Sequence, residues 1–175
     1  MATIRIATLS DTPAIRTALS TMLIETVANG GSVSFMHPLA EEDADEFWQS
    51  SLAAAERGER IILGAYDGQD LIATVTLQLK LPPNQPHRAE IAKMMTRVSH
   101  RRRGIAAALL RAAETMARDH ARTLLVLDTA VDGGASRLYE SLGFQLTGII
   151  PDYALKPQGG LTGTKIYWKR LQETV

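Results

Sequence analysis

Residues 101–106 read Arg-Arg-Arg-Gly-Ile-Ala. Three guanidiniums set positive charge around a glycine, which lacks a Cβ and lets a ligand approach the backbone. That is chemistry for holding an anion. The flanking patterns say what must position it. Residues 88–98 (RAEIAKMMTRV) read as a strand, 99–104 as a short basic turn, and 105–116 as a helix. Ile105, Leu109, Ala112 and Met116 step by four, three and four, which makes one helical face. The first amides of a helix have no partner inside it, and the helix dipole adds partial positive charge there. A strand, a tight turn and a helix start therefore form a site for a phosphate-bearing ligand.

Composition bounds the rest. The chain has 175 residues, 45% hydrophobic and 22% charged, which suits one globular domain spanning 1–175. A chain of this length buries roughly 70% of its unfolded surface. Lys plus Arg and Asp plus Glu number 19 each, and the zero formal charge argues against a general nucleic-acid partner. With no cysteine, disulfides, thiolate metal sites and cysteine nucleophiles are excluded. His37, His87, His100 and His120 are scattered without metal-ligand spacing, so no metal is expected. No charged-then-apolar leader pattern and no apolar run of about 18 residues is present. The expectation is a soluble, cytoplasmic protein with no membrane partner.

Residues 4–7 read as a first strand. Thr12 and Pro13 start a helix that Asn29, Gly30 and Gly31 close, the proline fitting where a missing N–H is harmless. A second helix covers 41–57, its acidic start suiting the positive end of the dipole. Strands at 61–66 and 71–81 flank an Asp67-Gly68 hairpin. With 88–98 they form an antiparallel meander. After the central helix come a strand at 123–129, a short helix at 133–142, a strand at 144–150, a Pro/Gly-rich loop at 151–160 and a last strand at 163–171. A helix between strands 88–98 and 123–129 implies a parallel crossover. The order β-α-α-β-β-β-α-β-α-β-β predicts an α/β (α+β) fold: a mixed, mostly antiparallel sheet of about seven strands with about four helices on its two faces.

Two stretches resemble the GNAT superfamily of acetyl-CoA-dependent N-acetyltransferases. Its pyrophosphate motif, Gln/Arg-x-x-Gly-x-Gly/Ala, stands here as Arg101 to Ala106 in the strand–turn–helix setting. A second motif, Asn-x-x-Ala-x-x-x-Tyr followed by Gly-Phe, is matched by Ala135, Tyr139, Gly143 and Phe144. Asp132 stands where asparagine is common. More narrowly, residues 25–36, 88–95, 124–129 and 151–171 resemble the tabtoxin resistance acetyltransferase group.

The resemblance implies a GNAT-like fold, acetyl-CoA as co-substrate and direct transfer of acetyl to a primary amine of a small molecule, amino-acid-like or antibiotic- or toxin-like. A resistance role and a homodimer come with it. A protein lysine or N-terminal amine, and a CoA-binding module without catalysis, stay open as alternatives. By resemblance, Met94, Met95 and Thr96 carry the pantetheine arm, while Arg101, Arg102, Arg103, Gly104, Ile105, Ala106 and Ala107 hold the pyrophosphate, with Asp132 nearby. Tyr139 is the general acid expected to protonate the leaving thiolate. Two carboxylates are candidates for the amine's proton, with a water chain as the alternative to both. Glu90 lies four residues before Met94, so strict alternation puts both on one face. Asp128 ends a buried apolar run and needs a partner or a task. Phe35, in the loop 32–38, and Tyr153, in the loop 151–160, are candidate walls of the substrate pocket.

Overall fold

The structure, a computed structural model, describes residues 3–172, so the extreme ends of the expected span lie outside the described residues. The chain runs β1 (Ile4–Thr8), α1 (Pro13–Ala28), α2 (Glu41–Glu56), β2 (Arg60–Asp67), β3 (Asp70–Gln78), β4 (Arg88–Thr96), a single 3-10 turn (Val98–His100), α3 (Ile105–Asp119), β5 (Leu124–Ala130), α4 (Ser136–Ser141), β6 (Gln145–Leu155) and β7 (Leu161–Arg170). One seven-stranded sheet has the order β1-β2-β3-β4-β5-β7-β6. All neighbours are antiparallel except β4 and β5, which pair in parallel across the α3 crossover. The expected mixed sheet, its seven strands and its four helices are all present.

Local chemistry sets the helix ends. Thr12 caps α1, its side chain accepting from the Ile15 N–H at 3.2 Å, and Pro13 takes the first helical position. The apolar faces then divide into two layers. Leu19, Leu23 and Val27 of α1, with Trp48 and Leu52 of α2, cover one face of the sheet. Ile105, Leu109 and Ala113 of α3, with Tyr139, Phe144 and Tyr167, cover the other. Each large side chain so buried contributes about 1.5–3 kcal/mol.

One boundary differs in kind. Residues 151–155, expected within a loop, continue β6 as far as Leu155. β6 is an edge strand, where a proline's missing N–H costs no ladder bond, and its register shifts between Ile150 and Ala154 absorb Pro151. The turn that remains, 156–160, is tied elsewhere. Pro157 O accepts from the His37 N–H at 2.9 Å, and Gln158 Nε2 donates to Val27 O and Ala28 O, each at 3.2 Å.

Candidate active site

The cleft begins where the sheet splits. β4 and β5 pair only across Arg88–Leu124, Ala89–Leu125 and Glu90–Val126. Beyond Glu90 the strands part, and the β5-facing N–H and C=O groups of β4 lose their ladder partners. A bulge drives the parting. On β3, Thr74 faces Met95 and Thr76 faces Ala92, so Val75 alone spans Lys93 and Met94. Lys93 takes φ +51°, the left-handed region. An extra residue of this kind bends the strand and re-aims its side chains. The resulting cavity, about 810 Å³, is walled by β4 from Ile91 to Thr96, by Asp128–Ala130 of β5, and by the turn into α3.

The bulge overturns one expectation. Ala89, Ile91 and Met94 all pack in the α3 layer, and Met95 packs against α1 and α2. Glu90, alternating with Ala89 and Ile91, therefore faces away from Met94. Strict alternation fails because one extra residue stands between them. Glu90 lies outside the cavity lining, and its carboxylate accepts from Arg88 Nη1 at 2.6 Å.

The anion turn has the expected form. Gly104 caps α3 at φ +75°, with no side chain bonded to the helix start. A Cβ there would meet nothing within 4 Å, so the glycine answers to its backbone angle and to the open space beside it. The first intrahelical bond is Ala108 N–H to Gly104 O at 3.1 Å, which leaves the amides of Ile105, Ala106 and Ala107 free at the cavity wall. Arg101 and Arg102 also line the cavity. Arg103 does not. It turns to Asp67, Nη1 to Oδ2 at 3.3 Å, on the carboxylate that lies 3.5 Å from His100 Nε2. From the opposite side, Glu25 Oε2 accepts from the Val98 N–H at 3.1 Å and from Arg97 Nε at 3.2 Å. The turn is thus held by the β2–β3 hairpin and by α1.

Tyr139 projects from α4, which side chains of β7 anchor: Lys165 Nζ donates to Ser136 Oγ at 2.9 Å and Tyr167 Oη to Glu140 Oε1 at 2.9 Å. Its ring meets Phe144 and Tyr167, with centroids 5.9 Å away in each case. Burial, and then the charge of Asp128, push its phenol up to about 12. It reaches the cavity as a protonated donor. Asp128 follows the buried Leu127 and opens onto the cavity, Oδ2 accepting from Thr164 Oγ1 at 3.2 Å. Asp132 also lines the cavity and accepts from Thr162 Oγ1 at 3.2 Å.

Phe35 and Tyr153 stand outside the cavity lining. Phe35 packs edge-on against Phe47, centroids 5.2 Å apart, and Tyr153 is 55% exposed on the β6 edge. Their loops still contribute, through Ser32, Val33 and Ser34 on one side and Lys156 on the other. Lys93 lines the cavity as well. A lone lysine in a strand reads as a solvent-facing residue, and no sequence signal marked the bulge that turns it inward. Among the described residues no group of three or more His, Cys, Asp or Glu is placed to hold a metal, and no helix is long and apolar enough to cross a membrane.

The chain belongs to the acetyltransferase (GNAT) family, whose model matches residues 24–144. Rat N-acetyltransferase 8 is 38% identical over 86 residues, and rat N-acetyltransferase 8B is 37% identical over the same length. The match covers 48% of this chain and spans 39% of the length of these curated relatives. The fold matches ribosomal-protein-alanine N-acetyltransferase from Brucella melitensis, with a TM-score of 0.80 at 22% identity over 97% of this chain and 99% of that one. It also matches a GNAT phosphinothricin acetyltransferase from Sinorhizobium meliloti in complex with AcCoA, with a TM-score of 0.79 at 17% identity over 96% of this chain and 89% of that one.

Proposed function

We propose that this chain transfers acetyl from acetyl-CoA directly to a primary amine of a small molecule. The observation that carries the reading is the pairing of an anion-binding helix start with Tyr139 and Asp128 around one split in the sheet. The free amides of α3 and the guanidiniums of Arg101 and Arg102 suit a pyrophosphate. The β5 side of β4 from Met94 to Thr96, beyond the end of the β4–β5 ladder, suits an extended amide-bearing arm that adds beside a strand, and an N–H on that side suits the thioester oxygen.

The chemistry then needs a base on the amine side and an acid on the thiolate side. Asp128, directly or through water, takes a proton from the incoming ammonium, so that a neutral nitrogen attacks the thioester carbon. The C–N bond forms and the C–S bond breaks. Tyr139 gives its proton to the departing thiolate and regains one from solvent, the nitrogen's second proton leaves to water, and Asp128 releases the proton it took to solvent, so one proton is released per turnover. A phenol held at about 12 keeps its proton throughout the neutral range.

The 156–160 turn is tied to His37 and to the end of α1 beside the wall made by Ser32, Val33, Ser34 and Lys156, and a wall held in this way supports a small amine over a protein segment. A resistance role against an amine-bearing toxin fits the same acceptor. The test is thiol release from acetyl-CoA with a panel of amino acids, polyamines, aminoglycosides and peptides. Release with a small amine is expected. Release with peptides alone would favour protein acetylation, and silence across the panel would favour a CoA-binding module.

A further inference from the structure

The acceptor side of the cavity carries a charge that the transfer chemistry leaves unused. Lys93 sits on the β4 bulge, half-buried, with Nζ 5.6 Å from the centre of the Phe47 ring and 3.3 Å from Ser34 Oγ. Ser34 is its one hydrogen-bond partner among the described residues, and an ammonium has three protons to give. No salt bridge within 4.0 Å among the described residues involves it. Burial holds its pKa below the ordinary lysine range, Asp128 works against that, and the guanidinium of Arg60 adds to it. A half-buried cation with two free protons and a second cation nearby is costly unless an anion joins it.

Asp128 faces the same cavity from β5 and is not in contact with Lys93, yet its charge acts on Lys93 and on Tyr139 alike. The two walls therefore present one carboxylate and one ammonium, apart and unpaired with each other. The cofactor's phosphates have their own site at the start of α3. Phe47 and Ser34 instead hold Lys93 on the α1–α2 side.

We infer that Lys93 is the specificity-determining residue for the acceptor: it takes the carboxylate of an amino-acid-like substrate whose ammonium is presented to Asp128. This rests on the acetyltransferase reading above and names its substrate class. A zwitterion neutralises both walls at once. An amine lacking the acid group leaves Lys93 half-buried with no anion beside it, and a site with an unmet polar group discriminates against such a ligand.

The experiment measures thiol release by the purified full chain with acetyl-CoA and matched acceptors: L-amino acids, their methyl esters and the corresponding decarboxylated amines. The free acid of the preferred acceptor should lead its ester by at least about 30-fold in kcat/KM, within the range a buried hydrogen-bonded charge supplies. K93M should collapse that ratio to within about threefold, chiefly by raising KM for the acid, and K93R should restore part of it. Acetyl-CoA binding and thermal melting of K93M confirm that the variant folds. Esters or amines turned over as fast as the acid by the unmodified chain, or an acid-to-ester ratio retained in folded K93M, would overturn the inference while leaving the acetyltransferase reading intact. Silence with every amine would overturn that reading and this inference with it.

Discussion

The two ends of the cleft are built by different means. At the proposed cofactor end the groups offered to a ligand are backbone amides, and one local run of sequence, from the 3-10 turn into α3, supplies them with Arg101 and Arg102. At the proposed acceptor end they are side chains from distant elements: Lys93 on β4, Asp128 on β5, and Ser34 from the loop after α1. A backbone site tolerates side-chain change and fails when the backbone is forced. A side-chain site fails group by group. The cofactor end is thus suited to one ligand across a family, and the acceptor end to tuning.

The largest effect should come from breaking the backbone end. Gly104→Asp puts a Cβ on a residue at φ +75° and a negative charge beside the anion site, so acetyl-CoA binding by calorimetry should be lost. Normal affinity would remove the phosphate-site argument. At the other end, Asp128→Asn should lower kcat/KM for the amine by about 10²–10⁴-fold, the usual range for a general base, while acetyl-CoA still binds. A rate that matches the unmodified chain would pass the proton transfer to water alone.

Smaller changes sharpen the contrast. Asp67→Asn releases Arg103 and His100 from the turn. Both pairs are partly exposed and are worth at most about 1 kcal/mol, so KM for acetyl-CoA should rise by up to about fivefold with kcat held. Glu90→Gln should change turnover by less than about threefold, since that carboxylate is paired with Arg88 outside the cavity lining. A loss as deep as that of Asp128→Asn would give Glu90 a relay role that its position does not suggest. Against pH, kcat should not fall up to about pH 10, because the raised phenol of Tyr139 ionises only near 12.

The same contrast explains what could be read from residues alone. The element order, the parallel crossover and the strand–turn–helix around Gly104 follow from local periodicity and stand where expected, whereas the insertion of β7 between β5 and β6 is a property of the assembled sheet. The acceptor end was less legible. Alternation placed Glu90 with Met94, and only the β3–β4 register reveals the bulge that separates them and turns Lys93 inward. Pro151 read as a loop breaker because its place on an edge strand is a property of the whole sheet. Phe35 packs on Phe47, and Tyr153 stands on the exposed edge strand β6 rather than in a loop, so neither lines the cavity. Long-range register, not composition, decides these cases.

Tyr139 joins the two ends, lining the cavity under the influence of Asp128 while packed in the α3–α4 layer. The most direct test of the account is Tyr139→Phe, with kcat and the acetyl-CoA dissociation constant measured on the same preparation. kcat should fall by about 100-fold or more with the dissociation constant within about threefold. An unchanged kcat would contradict it.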